Sequence, residues 1–156
     1  MPVNIRWVVL NFKACDAQTL YQLLQLRVGV FVVEQNCPYQ DLDGKDQAAL
    51  HILGYDNDRL VAYTRILPLG VGYKDYVAIG RVVVDPAYRK HGLGQKLMEK
   101  SIAECQTHYS QEPIKISAQA HLKEFYSRLG FCYKGDDYLE DDIPHCAMYL
   151  TRELLN

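Results

Sequence analysis

"RVVVDPAYRKHGLGQKL", Arg81 to Leu97, runs an apolar tripeptide into a proline turn, then a basic pair, then two glycines and a helical pattern. Strand, turn, glycine-rich basic segment and helix together make the grammar of an anion site. Free N–H groups at a helix start point outward, and the helix dipole adds partial positive charge there. Gly92 and Gly94 let an anion approach the backbone without Cβ interference, while Arg89 and Lys90 supply full positive charges. Two nucleotide patterns fail: "GLGQKL" lacks the third glycine of a dinucleotide fingerprint, and there is no Gly-Lys-Ser/Thr of a P-loop. From the glycines alone, an anion site and a plain helix-opening turn both stand.

Working outward, "IRWVVLNF" reads as a first strand, and Asp16 as the N-cap of a helix with Leu20, Leu23, Leu24, Val28 and Phe31 on one face. "NCPYQDLDGKD" is a turn-rich acidic loop. "AALHILGY" and "RLVAYTRILPL" form two strands joined by "DND", and "YVAIGRVVV" is apolar enough to be central in a sheet. After the opening stretch, Leu93, Leu97, Met98, Ile102 and Cys105 mark a helix ending near His108. "IKISAQA" is a strand, "HLKEFYSRL" a short helix stopped by Gly130, and "FCYKGDDYL" and "HCAMYL" close the sheet as two strands. The order βα, a β meander, then αβαββ predicts an α/β layer fold with helices covering a mixed, mostly antiparallel sheet.

A length of 156 residues fits one domain over 1–156, and 49% apolar with 23% charged residues is an ordinary globular mix. A formal net charge of −2 gives no reason to expect nucleic acid as a partner. Five scattered cysteines show neither zinc-knuckle nor redox-dithiol spacing, so no metal is expected from them. No cleavage-site pattern and no run of about 18 apolar residues point to a cytoplasmic chain without a membrane partner.

"VVVDPAYRKHGLGQKLM" resembles the acetyl-CoA-binding motif of the GNAT N-acetyltransferases, Arg/Gln-x-x-Gly-x-Gly/Ala, filled here by Arg89, Gly92 and Gly94. "AQAHLKEFYSRLGF" is similar to that family's next motif, a strand and short helix ending in Phe-Tyr-x-x-Leu-Gly-Phe. "VFVVEQNCPYQDLDGKD" and "EDDIPHCAMYL" resemble the ElaA-like subgroup, and the likeness covers nearly the whole chain. It implies the GNAT acyl-CoA N-acyltransferase fold and direct attack of an amine on the thioester of acetyl-CoA, in a ternary complex.

The resemblance also implies roles. The N–H groups of Arg89, Lys90, His91, Gly92, Leu93, Gly94 and Gln95 would wrap the pyrophosphate, and Val82, Val83 and Val84 would pair with the pantetheine arm through their backbone. Tyr126 occupies the family's general-acid position, and its phenol is reasonably matched to a departing thiolate. Gln119 stands where many relatives carry an asparagine touching the cofactor arm.

For the general base, Arg81 replaces the strand glutamate of many relatives. Glu34, beyond the first helix, is the first candidate and His145 the second, with His51 and His121 behind them. Two acidic runs, Asp41–Asp46 and Asp136–Asp142, would favour a small cationic amine if both rim the acceptor mouth. Protein lysine or N-terminal acetylation and a non-catalytic acyl-CoA-binding module are the alternatives, and a homodimer is compatible with the chain.

Overall fold

A computed structural model describes residues 4–151. Seven strands form one sheet: β1 (Arg6–Asn11), β2 (Leu50–Asp56), β3 (Arg59–Leu67), β4 (Val77–Val84), β5 (Ile114–Gln119), β6 (Cys132–Glu140) and β7 (Ile143–Leu150). Their spatial order is β1-β2-β3-β4-β5-β7-β6. Five of the six pairings are antiparallel and only β4–β5 is parallel, as the element order predicts.

Three helices cover the sheet: α1 (Ala17–Val28), α2 (Leu93–His108) and α3 (Lys123–Arg128). Alternation along the strands sorts side chains to the two faces. Leu53, Tyr63 and Val83 bury with Leu23 of α1 on one face. Ile52, Val61 and Ile114 bury with Leu97 and Met98 of α2 and Tyr126 of α3 on the other. The layers are helix, sheet, helix.

Asp16 caps α1 as expected, its carboxylate accepting from the Thr19 amide at 2.8 Å. The helix does not stay α-helical through Phe31. From Gly29 the helix widens into a π-helical turn over Gly29–Glu34, a segment of three valines and a phenylalanine that ends at Glu34. Behind α3, Gly130 takes φ 103, its amide bonds to the Ser127 carbonyl, and the Phe131 amide reaches Tyr126. That is a Schellman stop, and it leaves Tyr126 facing inward from the last turn.

The acidic loop after α1 is held down by charge. Arg27, with no exposed surface, donates to Asp41 at 2.9 Å and to Asp46 at 2.8 Å. Arg65 of β3 reaches Asp43 at 2.8 Å and Asp46 at 3.0 Å, and Arg81 of β4 reaches Asp41 at 2.8 Å. Burial works to raise the Asp43 carboxyl, yet Arg65, the Lys45 amide and Arg81 outweigh it and hold it well below the usual carboxylate range. His51 is also committed here: one ring nitrogen faces the Asp46 carbonyl at 3.0 Å and the other the Tyr63 hydroxyl at 2.6 Å. Burial above all pushes its imidazole below the ordinary range.

Two outcomes are expected. Arg27→Ala strands Asp41 and Asp46 without their buried partner and lowers the urea-unfolding free energy by about 3–5 kcal/mol. Because His51 is harder to protonate folded than unfolded, stability falls as pH drops below about 6.5. The loss steepens below about pH 4 as Asp43 and Asp46 begin to protonate in the unfolded chain first. His51→Gln flattens the first of these two steps.

Candidate active site

β4 and β5 pair only at their first residues, Val77 with Ile114 and Ala78 with Lys115. Beyond that the two strands part, and a cleft of about 790 Å³ opens between them. Val82, Val83 and Val84 line it from β4, Ser117 and Gln119 from β5. Tyr126, His145, Glu34 and Arg89 join the same lining.

A bulge shapes the β4 wall. Tyr63 pairs with Val83 but Arg65 pairs with Gly80, so two steps of β3 span three of β4. The extra residue leaves Arg81 and Val82 with no cross-strand partner, and Arg81 sits at φ 52. A non-glycine side chain there is strained, and the Arg81 guanidinium is tied down by the Asp41 carboxylate and carbonyl.

The glycine-rich turn follows β4 directly. Lys90 at φ 70 and Gly92 at φ 73 are both left-handed, and they turn the chain sharply into α2. Among the described residues, the amides of Leu93, Gly94 and Gln95 have no acceptor; the first helical bond is Lys96 to Gly92. Three donors at a helix start are therefore free, as the anion-site reading requires. Lys90 and His91 are exposed beside them, whereas the Leu93 side chain belongs to the core and offers only its amide.

Tyr126 is 6% exposed, and its ring meets Phe125 and Phe131 edge-on. Its hydroxyl has no hydrogen-bond partner among the described residues, and burial pushes its pKa up to about 12. A phenol in that environment is protonated throughout the working range and free to donate.

His145 is also 6% exposed. Its Nδ1 lies 2.7 Å from the Ile143 carbonyl, which can only accept, so the ring proton sits on Nδ1. Nε2 is then the exchangeable position, 3.3 Å from a Glu140 carboxylate oxygen.

Glu34 and Arg89 are brought together, a pairing unforeseen in the sequence. The guanidinium forks onto both carboxylate oxygens at 2.7 and 3.0 Å and bonds the Val84 carbonyl at 3.2 Å. His121 lines the cleft from an exposed turn, while His51 stands outside it. The Asp41–Asp46 run does not act as an acidic mouth. Asp41, Asp43 and Asp46 face Arg27, Arg65 and Arg81, so the charges cancel.

A family model described as the acetyltransferase (GNAT) domain matches residues 21–152. The protein ElaA of Escherichia coli K12 is 48% identical over 153 residues, covering 97% of this chain and 98% of that one. The chain belongs to the GNAT acetyltransferase family. An acyl-CoA N-acyltransferase from Pseudomonas aeruginosa superposes with a TM-score of 0.90 at 41% identity, covering 95% of this chain and all of that one. The E. coli ElaA crystal structure gives 0.89 at 46% identity, with 94% and 99% covered. This GNAT protein is thus an acyltransferase enzyme, of the ElaA-like group and the acyl-CoA N-acyltransferase fold.

Glu140 was missed as an individual site residue, because it was read within an acidic turn. The available signal was the two-residue spacing of Tyr138 and Glu140 on a strand, which puts both on the face carrying His145.

At the bulge, Arg81→Gly and Arg81→Ala both lose the tie to Asp41, but only alanine keeps the positive-φ strain. The glycine variant is expected to be more stable than the alanine variant by about 1 kcal/mol in urea unfolding. Equal stabilities would show that the strain at Arg81 is absent.

Proposed function

We propose that this protein transfers an acetyl group from acetyl-CoA to a primary amine by direct attack in a ternary complex. One observation carries the reading. A cleft that reaches Arg89, at the edge of the turn leading to three free helix-start amides, also holds a buried phenol without a partner and a histidine with one exchangeable nitrogen.

In this reading the amides of residues 89–95 receive the pyrophosphate, with Lys90 adding charge, while the Arg89 guanidinium stays forked onto Glu34. The freed edge of β4, Val82 to Val84, takes the pantetheine arm as a further strand, and Gln119 faces that arm from β5. The Val82 amide, outside the ladder because of the bulge, is the donor for the developing oxyanion. One such donor is worth about 3 kcal/mol in the transition state, and holding amine and thioester in contact contributes further.

His145 Nε2 removes the proton from the attacking nitrogen, and Tyr126 donates to the departing sulfur. His145 is preferred over Glu34 because the Glu34 carboxylate is occupied at both oxygens by Arg89. The acceptor is a small cationic amine. The support for that charge now comes from Glu140 and Asp141, which line the cleft, and not from the neutralised loop. The same reading places the enzyme in the cytoplasm, where its cysteines, none of them in a disulfide among the described residues, stay reduced.

The test is Tyr126→Phe with acetyl-CoA and an amine panel. Turnover is expected to fall about 100-fold or more while calorimetric affinity for acetyl-CoA stays within about twofold. Unchanged turnover would remove Tyr126 from the chemistry, and absent acetyl-CoA binding by the unmodified protein would remove the whole reading.

A further inference from the structure

The β6–β7 hairpin ends in Asp141 and Asp142, at φ 50 and 63. Both central residues are left-handed, the pattern of a type I′ turn, which sets a tight register. Glu140 pairs with Ile143 and Tyr138 with His145, while Gln119 of β5 pairs with His145 from the other side. Alternation then places Tyr138, Glu140, His145, Ser117 and Gln119 on one face of three adjacent strands. That face is a wall of the cleft.

On this wall one Glu140 oxygen accepts a hydrogen bond from a hydroxyl, and the other faces a nitrogen that carries no permanent charge. Ser117 Oγ donates to one oxygen at 3.3 Å, and His145 Nε2 lies 3.3 Å from the other. The Tyr138 hydroxyl donates to Ser117 at 2.6 Å, so the serine proton is directed at the carboxylate. Other acids lining the cleft are compensated: Glu34 by Arg89, Asp43 by Arg65 and Arg81. Among the described residues, the lining charges with no permanently charged partner are Glu140, Asp141 and Lys45. Of these, only Glu140 is both fixed in direction and next to an exchangeable histidine nitrogen.

We propose that Glu140 is the acceptor-binding residue of the cleft: its carboxylate seats the ammonium group of the amine beside His145 Nε2. This rests on the N-acetyltransferase reading above. One N–H bond of the ammonium breaks, its proton forms a bond to neutral His145 Nε2, and the resulting imidazolium is paired with Glu140. The freed lone pair attacks the thioester carbon, the C–S bond breaks, the sulfur takes its proton from Tyr126, and a second N–H proton leaves the nitrogen to restore the Tyr126 phenol, giving the neutral amide. The titratable groups facing this pair are Tyr138 on β6, Asp141 in the turn, and Tyr73 from the segment before β4. Burial first, then the charges of Tyr138 and Glu140, lift the Tyr73 hydroxyl to about 12, so it stays neutral throughout the assay range.

The experiment compares wild type, Glu140→Gln and Glu140→Asp with putrescine, ethanolamine and lysine as acceptors, alongside calorimetry with acetyl-CoA. Glu140→Gln is expected to raise the KM for the best amine about tenfold to a hundredfold, with acetyl-CoA affinity unchanged. Glu140→Asp recovers part of that loss. Raising the pH narrows the gap between Glu140→Gln and wild type, because an amine that arrives neutral needs neither the carboxylate nor the base. A wild-type KM in Glu140→Gln overturns the assignment while leaving the acetyltransferase reading intact. A matching loss of acetyl-CoA affinity also overturns it, since the role would then be structural. Wild type that acetylates none of the three amines overturns both the small-amine reading and this one.

Discussion

Arg27 is a full positive charge with no exposed surface, and one side of the cleft depends on it. It joins Asp41 to Asp46, Asp41 passes the link to Arg81 on β4, and Asp46 passes it to Arg65 on β3. Buried ion pairs contribute little net stability, since desolvation offsets most of their attraction. This one is also imperfect, because Arg65 Nε is buried without a partner. Its clearer contribution is geometric. A loop of eleven residues with few apolar anchors is held in one position across helix α1 and two central strands, and that position borders the cleft.

From there the site follows by short physical steps. Arg81 is at once the outer end of the charge network and the strained residue of the β4 bulge. The bulge takes Val82 out of the ladder with β3, and the divergence from β5 frees the other edge of the same strand. A strand at the centre of a sheet ordinarily has no free backbone. Here β4 has some, next to the segment where, among the described residues, two strands run parallel, and just before a helix whose first amides are also free. A free strand edge, an amide outside the ladder and a helix start with free amides thus arise within fifteen consecutive residues, Arg81 to Gln95.

That compactness explains which features were legible in the sequence. The succession of strands and helices along the chain, the helix faces, the Asp16 cap, the Gly130 stop and the glycine turn all rest on neighbours within a few residues, and each is found where the pattern places it. The π-helical turn after Gly29 was not legible, because a run of valines after a helix is equally compatible with fraying or a strand. The pairing of Arg89 with Glu34 was not legible either: those residues are fifty-five positions apart, and each had a separate, sensible role assigned by local pattern.

The same distinction separates the two acidic runs, which look alike in a linear chain. Asp41, Asp43 and Asp46 meet three arginines drawn from α1, β3 and β4, so their field is cancelled where they stand. Glu140 meets a serine and a histidine instead, because a type I′ turn fixes its strand in register with β7. A carboxylate held only by a hydroxyl keeps its charge for an incoming cation, whereas one held by a guanidinium does not. Charge in a site is therefore a property of which strands are neighbours, and only the fold supplies that.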